Sequence, residues 1–190
     1  MMTLVYIHGF NSSSASLKGQ LLQQAVQASG CDIQLVAPDL PFEPGKAINL
    51  LQQVVEQALE RSRIMLIGSS LGGYYATYLA EQYRCHAVLV NPAVRPYALL
   101  DSYLGMQKNI YTHEEYILTA AHIDQLKALE VQRITRPARY LLMLQTGDEV
   151  LDYRQALEKY QGSEQVVIEG GDHGFQNFSE YIERIFAFAQ

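Results

Sequence analysis

A serine framed by glycines has the sequence context of a nucleophile. Residues 68–72 read GSSLG and match the pattern G-x-S-x-G, with Ser70 at the centre. The pentapeptide follows an apolar run at 64–67 and begins a helical pattern, which is the strand–turn–helix context that the motif requires. Glycines two residues before and after the serine permit a sharp turn that projects its side chain from the sheet edge. Because only Ser70 has both glycines, and the adjacent Ser69 does not, Ser70 is the predicted nucleophile.

A histidine in a later glycine-rich loop could act as the base for this serine. His173 lies in the segment GGDHG at 170–174, after the last predicted strand and before the last predicted helix. An imidazole in such a loop can turn towards a serine at the same sheet edge and take its proton. Three other histidines have no comparable setting and are predicted to lie at the surface or in an insertion: His86, His113 and His122.

The acid of the predicted triad should follow the penultimate strand. Asp148 is the first acid after the apolar run at 140–144, and it would hold the imidazole of the base in the correct tautomer. Asp152 is the main rival for this role, and Glu149 is a weaker one. Asp172 is adjacent to the histidine in the chain, so its side chain is expected to point elsewhere. With Asp148 as the acid, the chain order is Ser, Asp, His, which is the order found in α/β-hydrolases.

Backbone amides in two turns could stabilise the oxyanion that forms during acyl transfer. His8-Gly9-Phe10 follows the first predicted strand, and Gly9 lets the backbone approach a substrate closely. The predicted donors are the amides of Phe10 and of Leu71, the residue after the nucleophile. Two such donors near ~3 Å from the oxyanion each contribute roughly 3 kcal/mol. His8 is assigned to orienting the turn because His173 is the better placed base.

Alternating strand and helix patterns explain how residues so distant in the chain could meet. The predicted strands are apolar runs at 4–7, 33–37, 64–67, 87–90, 140–144 and 165–168. The predicted helices have apolar residues at helical spacing and span 17–28, 47–59, 71–83, 154–160 and 178–188. This alternation indicates a compact α/β fold in one domain of residues 1–190, with a mostly parallel six-stranded sheet and helices on both faces. In such sheets ligands bind beyond the carboxyl ends of the strands, where the candidate residues lie.

A break in this alternation predicts an insertion over the same edge of the sheet. Residues 93–137 show several short helical patches and no clean strand, so we expect a small helical cap. Caps of this kind line a substrate pocket and exclude water. The candidate pocket residues, in the cap and in the turn after Phe10, are Asn11, Tyr97, Leu100 and Tyr103. The alternative is that these side chains only pack the cap on the body of the domain.

Composition and charge argue against several other classes of function. The 190 residues carry a formal net charge of −6, which provides no electrostatic footprint for nucleic acid or for an anionic membrane surface. Cys31 and Cys85 form no C-x-x-C pair and no metal-ligand pattern. The apolar N-terminal run is interrupted at His8 and lacks the basic segment of a signal peptide. These features predict a cytoplasmic protein that acts on a small-molecule substrate and needs no metal or cofactor.

Several segments together resemble the YqiA-like esterase family, also called UPF0227, of bacterial α/β-hydrolases. They read YIHGFNSS, IGSSLGGYYATYLAE, LVNPAVRPY, LMLQTGDEVLDY and GGDHGF, and they extend from the N-terminus to the last helix. The resemblance implies a compact α/β-hydrolase fold that lacks the first strands of larger hydrolases. It also implies hydrolysis of carboxylic esters or acyl-thioesters, with Ser70, Asp148 and His173 in the motif positions of the triad.

The sequence therefore predicts a serine esterase that acts on esters or thioesters of short-to-medium acyl groups through an acyl-enzyme. Two alternatives stand beside this prediction. A peptidase or a C–C bond hydrolase would use the same triad on the same fold. A non-catalytic binding module would have kept the fold and the glycine-rich turns without the chemistry.

Overall fold

The computed structural model describes residues 1–188, and within them strands and helices alternate. The strands are β1 (Met2–Ile7), β2 (Ile33–Val36), β3 (Arg63–Ser69), β4 (His86–Val90), β5 (Gly105–Lys108), β6 (Glu115–Leu118), β7 (Tyr140–Gln145) and β8 (Glu164–Ile168). The α-helices are α1 (Leu17–Ser29), α2 (Pro44–Leu59), α3 (Leu71–Tyr83), α4 (Pro96–Leu100), α5 (Ala120–Ala128), α6 (Tyr153–Lys159) and α7 (Ile182–Phe188). Short 3-10 helices span Asp101–Tyr103, Pro137–Arg139 and Phe178–Tyr181.

The main sheet has six strands in the order β2-β1-β3-β4-β7-β8, and every neighbouring pair is parallel. The central strands β1, β3, β4 and β7 are almost entirely buried, because helices cover both faces of the sheet. This burial explains why their sequences are continuous apolar runs rather than alternating ones. The predicted six-stranded α/β sheet is confirmed.

Side chains of each strand alternate between two hydrophobic cores on opposite faces of the sheet. Val5 and Ile7 of β1 belong to the core that α2, α3 and α6 cover. Leu4 and Tyr6 belong to the opposite core, which α1 and α7 cover. Because the strands pack against a hydrophobic core on each face, their carboxyl ends are fixed in position. The loops that follow these strands therefore start from fixed points.

The helix boundaries follow local capping chemistry. The helix α3 spans Leu71–Tyr83 as predicted. The helix α2 begins at Pro44, earlier than the predicted residue 47, because a proline in the first turn lacks an N–H that would have no intrahelical partner there. The predicted last helix at 178–188 is divided into a 3-10 turn and α7. None of the helices within residues 1–188 is both long enough and apolar enough to span a bilayer.

The insertion at 93–137 contains helices α4 and α5, but the expectation that it holds no strand was wrong. Its strands β5 and β6 pair as an antiparallel hairpin with Gly105 opposite Leu118 and Lys108 opposite Glu115. Each strand has only four residues, and β6 alternates between exposed and buried positions. A hairpin that is half exposed on such short strands lacks the continuous apolar run by which the other strands were recognised.

Candidate active site

Ser70 lies in a strained turn between β3 and α3. Its backbone has φ 55° and ψ −121°, a conformation that costs a residue with a side chain about 1–3 kcal/mol. Neighbouring strands and the helix hold it there. The Ser70 amide donates to the Val90 carbonyl at 3.1 Å, and the Ser70 carbonyl accepts from the amides of Gly73 at 2.9 Å and Ala93 at 3.0 Å. The turn lies at the carboxyl end of β3, which is where the candidate residues were expected.

The flanking glycines are required by close backbone contacts. A Cβ atom at Gly68 would overlap the carbonyl oxygen of Gly72, and one at Gly72 would overlap the carbonyl oxygen of Ile7. Gly9 approaches the serine from the adjacent turn, where an added Cβ would lie 3.6 Å from Ser70 Oγ. The glycines therefore permit the tight packing of two chain segments, residues 7–9 and 68–72, around one serine.

Ser70, His173 and Asp148 form a continuous chain of hydrogen bonds. His173 Nε2 lies 3.0 Å from Ser70 Oγ. On the other side of the ring, His173 Nδ1 lies 2.8 Å from Asp148 Oδ2 and 3.0 Å from Oδ1. With Nδ1–H donating to the carboxylate, Nε2 is free to accept the serine proton, which is the arrangement needed for general-base activation of the hydroxyl.

The carboxylate of Asp148 is buried and tightly bound. Its side chain is only 2% exposed, whereas that of His173 is 23% exposed. Burial acts to raise the pKa of Asp148, but hydrogen bonds from His173 and from the amides of Leu151 and Val150 outweigh it and hold the pKa below its ordinary value. The two amides both donate to Oδ1, at 2.8 and 2.9 Å, so the charged form is favoured and its orientation is fixed.

The rival acids are occupied elsewhere. Asp152 caps helix α6, where its Oδ1 accepts from the Arg154 amide at 3.0 Å. Glu149 accepts a hydrogen bond from the backbone amide of His173 at 2.9 Å, so it supports the loop without touching the imidazole. Asp172 accepts from a side-chain amide four residues further along the same loop.

Two buried amide side chains that the sequence reasoning missed hold the histidine loop. Asn91, 2% exposed, donates through Nδ2 to the carbonyls of Asp172 at 3.0 Å and His173 at 3.2 Å. Gln145, 3% exposed, accepts from the amides of Asp172 at 3.1 Å and Gln176 at 2.8 Å. Asn91 follows β4 and Gln145 ends β7, so each stands at the carboxyl end of a buried strand. An uncharged polar residue at the end of an apolar run is the sequence signal that could have identified them. Polar groups buried this deeply need partners, and here the partners are the loop backbone.

His8 orients the turn that follows β1. Its Nδ1 lies 2.9 Å from the Gly9 carbonyl, and its Nε2 accepts from the Leu40 amide at 3.1 Å. These partners require the tautomer with hydrogen on Nδ1, so Nε2 is already engaged and is not available as a base. Burial lowers the pKa of His8, which keeps the ring neutral in this position. The placement agrees with the role that the sequence predicts for this residue.

The predicted oxyanion amides belong to Phe10, in the turn after β1, and to Leu71, at the start of α3. Leu71 is the first residue of α3, so its amide has no intrahelical acceptor, and the positive end of the helix dipole lies there. Within residues 1–188, neither the Phe10 amide nor the Leu71 amide donates a hydrogen bond to another group. Both residues line one small cavity together with Gly9.

The cavity beside these amides has a volume of about 40 Å³. Of the predicted pocket residues, Asn11 lines it, and Tyr103 lies outside with its ring edge-on to Phe10 at 6.2 Å between centroids. The structure does not bring Tyr97 and Leu100 to it. The hydroxyl of Tyr97 donates to Glu130 at 2.7 Å, and Leu100 is buried in the main core, because α4 packs inwards against α5.

A larger groove of about 820 Å³ lies between residues 130–137 and α6, and it includes none of the triad residues. Volume alone would favour this groove as the binding site. The lining of the smaller cavity also contains no triad residue, but it includes Gly9, which packs against Ser70, and Leu71, which follows Ser70 in the chain. Within residues 1–188 no cluster of His, Cys, Asp and Glu side chains is arranged to hold a metal ion.

Solved structures with the same architecture define the class of fold. Est1E from Butyrivibrio proteoclasticus superimposes with a TM-score of 0.76 at 16% identity, over 99% of this chain and 87% of that one. The monoacylglycerol lipase of Paleococcus ferrophilus gives a TM-score of 0.71 at 18% identity, over 98% of this chain and 93% of that one. The chain therefore has the α/β-hydrolase fold.

Sequence comparison places the chain more narrowly. The family described as "Uncharacterised protein family (UPF0227)" matches residues 3–190, and the chain belongs to that family. Its relatives include the UPF0227 protein YcfP of Salmonella gallinarum, 32% identical over 190 residues and 97% of each chain. Another is a UPF0227 protein of Citrobacter koseri, 30% identical over 188 residues with the same coverage. The resemblance predicted from the sequence motifs is confirmed at the level of the family.

Proposed function

We propose that this chain is a serine hydrolase that cleaves carboxylic esters or acyl-thioesters through an acyl-enzyme on Ser70. The observation that carries the proposal is the unbroken hydrogen-bond chain from Ser70 Oγ through His173 to Asp148. A strained serine beside two unpartnered backbone amides supports it, because a glycine-rich turn without chemistry would require neither feature.

In the proposed reaction, Ser70 Oγ attacks the acyl carbonyl carbon while His173 Nε2 takes the hydroxyl proton. The carbonyl π electrons move to oxygen, and the amides of Phe10 and Leu71 stabilise the resulting oxyanion. As the tetrahedral intermediate collapses, His173 gives its proton to the leaving alcohol or thiol, and the acyl group stays on the serine. Water then attacks the acyl-enzyme while His173 takes its proton. His173 returns that proton to Ser70 Oγ as the carboxylic acid is released. Throughout, Asp148 orients and stabilises the imidazolium.

The names of proteins with the same fold support ester hydrolysis as the reaction. Est1E has been solved with ferulic acid bound, and another neighbour is a monoacylglycerol lipase. Those names describe the neighbours, and they favour ester hydrolysis over amide or C–C bond cleavage for a triad on this fold.

The test is the substitution Ser70→Ala, with Ser69→Ala as the matched control. Ser70→Ala should leave the fold intact and lower kcat on a short 4-nitrophenyl ester by at least ~10³-fold. A fluorophosphonate probe should label the wild type and Ser69→Ala, but not Ser70→Ala. Near-normal turnover in Ser70→Ala would contradict the assignment.

A substrate panel separates the remaining alternatives. Ester and thioester turnover without cleavage of dipeptide amides is the expected pattern. Preferential amide cleavage would indicate a peptidase on the same triad. A folded wild-type protein that is neither labelled nor active would indicate a binding module.

A further inference from the structure

Tyr75 differs from every other buried tyrosine within residues 1–188. Each of the others has a hydrogen bond to its hydroxyl, and they are Tyr6, Tyr74, Tyr116, Tyr140 and Tyr160. Tyr75 is only 3% exposed, yet its hydroxyl has no partner among the described residues. The fold therefore leaves the Tyr75 hydroxyl free to bond with a molecule from outside, unlike the hydroxyls of the other buried tyrosines.

The geometry directs Tyr75 towards the predicted oxyanion site. It lines the small cavity that Phe10 and Leu71 also line. In α3 it follows Leu71 by four residues, so the two side chains share one face of the helix. Helical side chains lean towards the N-terminus of their helix, which for α3 is the end that begins at Ser70.

The Tyr75 hydroxyl faces the open space of this cavity. Within residues 1–188, the side-chain atom that is both fully occluded and without a partner is Arg139 Nη1. The hydroxyl oxygen of Tyr75 also has no partner, but it is not fully occluded. It therefore retains some accessible surface. Because Tyr75 is otherwise enclosed by the core, the cavity that it lines is the space that its hydroxyl can reach.

The other groups around the cavity define what could bind there. Burial raises the pKa of Tyr75 far above its usual range, so the hydroxyl is neutral and can donate. The hydroxyl of Tyr116 already donates to Asn11 Oδ1 at 2.6 Å. The residues that line the cavity include the acidic Glu114 and no lysine or arginine. An anionic acyl tail is therefore disfavoured, and a neutral acceptor is favoured.

We propose that the Tyr75 hydroxyl is a specificity determinant that binds a hydrogen-bonding oxygen in the tail of a short, neutral acyl group. The cavity is small, at about 40 Å³, and suits a compact acyl group. The preferred acyl group is then a two-carbon or slightly longer unit with a hydroxyl, ether or keto oxygen. This inference rests on the proposed function, because it assumes that the acyl group is transferred to Ser70.

The experiment compares Tyr75→Phe with the wild type on two esters of equal size, 4-nitrophenyl glycolate and 4-nitrophenyl propionate. The preference is the ratio of kcat/KM for glycolate to kcat/KM for propionate. Tyr75→Phe should lower this ratio about three- to tenfold, as expected for one neutral hydrogen bond. The difference in chemical reactivity between the esters cancels when the ratios of the two proteins are compared.

Two matched variants control for other effects of the substitution. Tyr83→Phe changes a tyrosine at the far end of the same helix, where its hydroxyl contacts Glu56, and should leave the ratio unchanged. Tyr74→Phe removes a hydroxyl that donates to the Leu126 carbonyl at 2.7 Å, so it should lower the Tm. Tyr75→Phe should leave the Tm nearly unchanged, because the hydroxyl that it removes has no partner among the described residues.

The outcomes separate this inference from the proposed function. An unchanged ratio in Tyr75→Phe, an equal loss on both esters, or a fall in Tm like that of Tyr74→Phe would overturn the role of Tyr75. The same holds if wild-type protein hydrolyses propionate and not glycolate. If the wild type cleaves neither ester and the fluorophosphonate probe does not label Ser70, both proposals fail.

Discussion

The loop that contains His173 and the turn that contains Phe10 flank Ser70 on opposite sides, and they are held in different ways. The histidine loop, residues 169–176, is held from below by the buried side chains of Asn91 and Gln145. The turn at residues 8–12 is held from outside by the β5–β6 hairpin, which is largely exposed. The turn also has a buried support in His8, which accepts from the Leu40 amide, but of the two regions only the turn is held by the hairpin as well.

The contrast indicates a division of mechanical roles. Hydrogen bonds in a buried, low-dielectric setting are stronger and confine a loop to one arrangement. A short exposed hairpin has fewer buried contacts and belongs to the less stable part of a structure. We therefore expect the proton-transfer side of the site to be rigid, and the oxyanion and acyl side to adjust more readily to a substrate.

The largest expected effect is on the rigid side, from Asp148→Asn. Oδ1 accepts from the amides of Val150 and Leu151, so the asparagine oxygen should stay on those amides. The NH2 group would then face His173 Nδ1 and favour the wrong tautomer. We expect kcat on an aryl ester to fall roughly 10⁴-fold. Asp152→Asn is the control, and a comparable loss there would identify the other aspartate as the acid.

The same substitution has an expected pH signature in stability. The folded-state pKa of Asp148 is lowered, so its carboxylate stabilises the fold at pH values above its unfolded pKa of about 3.9. That contribution is lost as the pH falls through the lower folded pKa. Urea unfolding should show Asp148→Asn less stable than the wild type at pH 7, with the gap narrowing below about pH 4. A gap that is the same at both pH values would contradict the assignment.

The next largest effect is expected from Gln145→Ala, which removes a support of the histidine loop. The amides of Asp172 and Gln176 would lose their common acceptor. A displacement of the imidazole by about 1 Å would lower kcat roughly 10²-fold, with KM changed much less. Gln165→Ala, on the neighbouring strand and bonded to the Tyr160 carbonyl, is the matched control. If both variants kept wild-type kcat, the loop would not depend on its buried support.

The sequence carried more signal for the triad residues than for the turn at residues 8–12 and the hairpin, for a physical reason. Ser70 and Asp148 each follow an apolar strand, and the spacing of strands and turns is encoded locally. The partners of Asn91 and Gln145 lie far away in the chain, so a polar residue at a strand end revealed that something is bound there but not what. The hairpin left even less signal, since its short strands are packed on one face only.

The pocket residues show the same limit. Tyr97 and Leu100 were predicted to face substrate because they are apolar or aromatic and lie in the insertion. Apolar character is equally compatible with packing against the body, and the inward packing of α4 decided between the two. Tyr75 was overlooked for the opposite reason, because a tyrosine inside a core helix is ordinarily a packing residue. What distinguishes it is a missing hydrogen bond, which only the three-dimensional structure reveals.

The smallest effect should come from the hairpin's hold on the oxyanion turn. Asn11 has φ 51°, accepts from the Tyr116 hydroxyl at 2.6 Å, and donates to Gln107 at 3.3 Å. Asn11→Gly keeps this backbone conformation accessible while removing both side-chain contacts, whereas Asn11→Ala also adds backbone strain. We expect Asn11→Gly to lower kcat about tenfold, from weaker placement of the Phe10 amide.

The comparison of Asn11→Gly with Gln145→Ala decides whether the two sides of the site differ. A tenfold loss of kcat in Asn11→Gly and a hundredfold loss in Gln145→Ala would show a difference between the two sides. The exposed hairpin would then position the turn at residues 8–12 less strictly than the buried amide side chains position the histidine loop. The glycine variant should also accept bulkier acyl groups with a smaller loss of kcat/KM, since Asn11 lines the small cavity beside Phe10 and Leu71. A series of 4-nitrophenyl esters of increasing length measures this. If Asn11→Gly lost as much kcat as Gln145→Ala and gained no tolerance for longer esters, the oxyanion turn would be as rigid as the histidine loop. The insertion would then act as a fixed wall of the site.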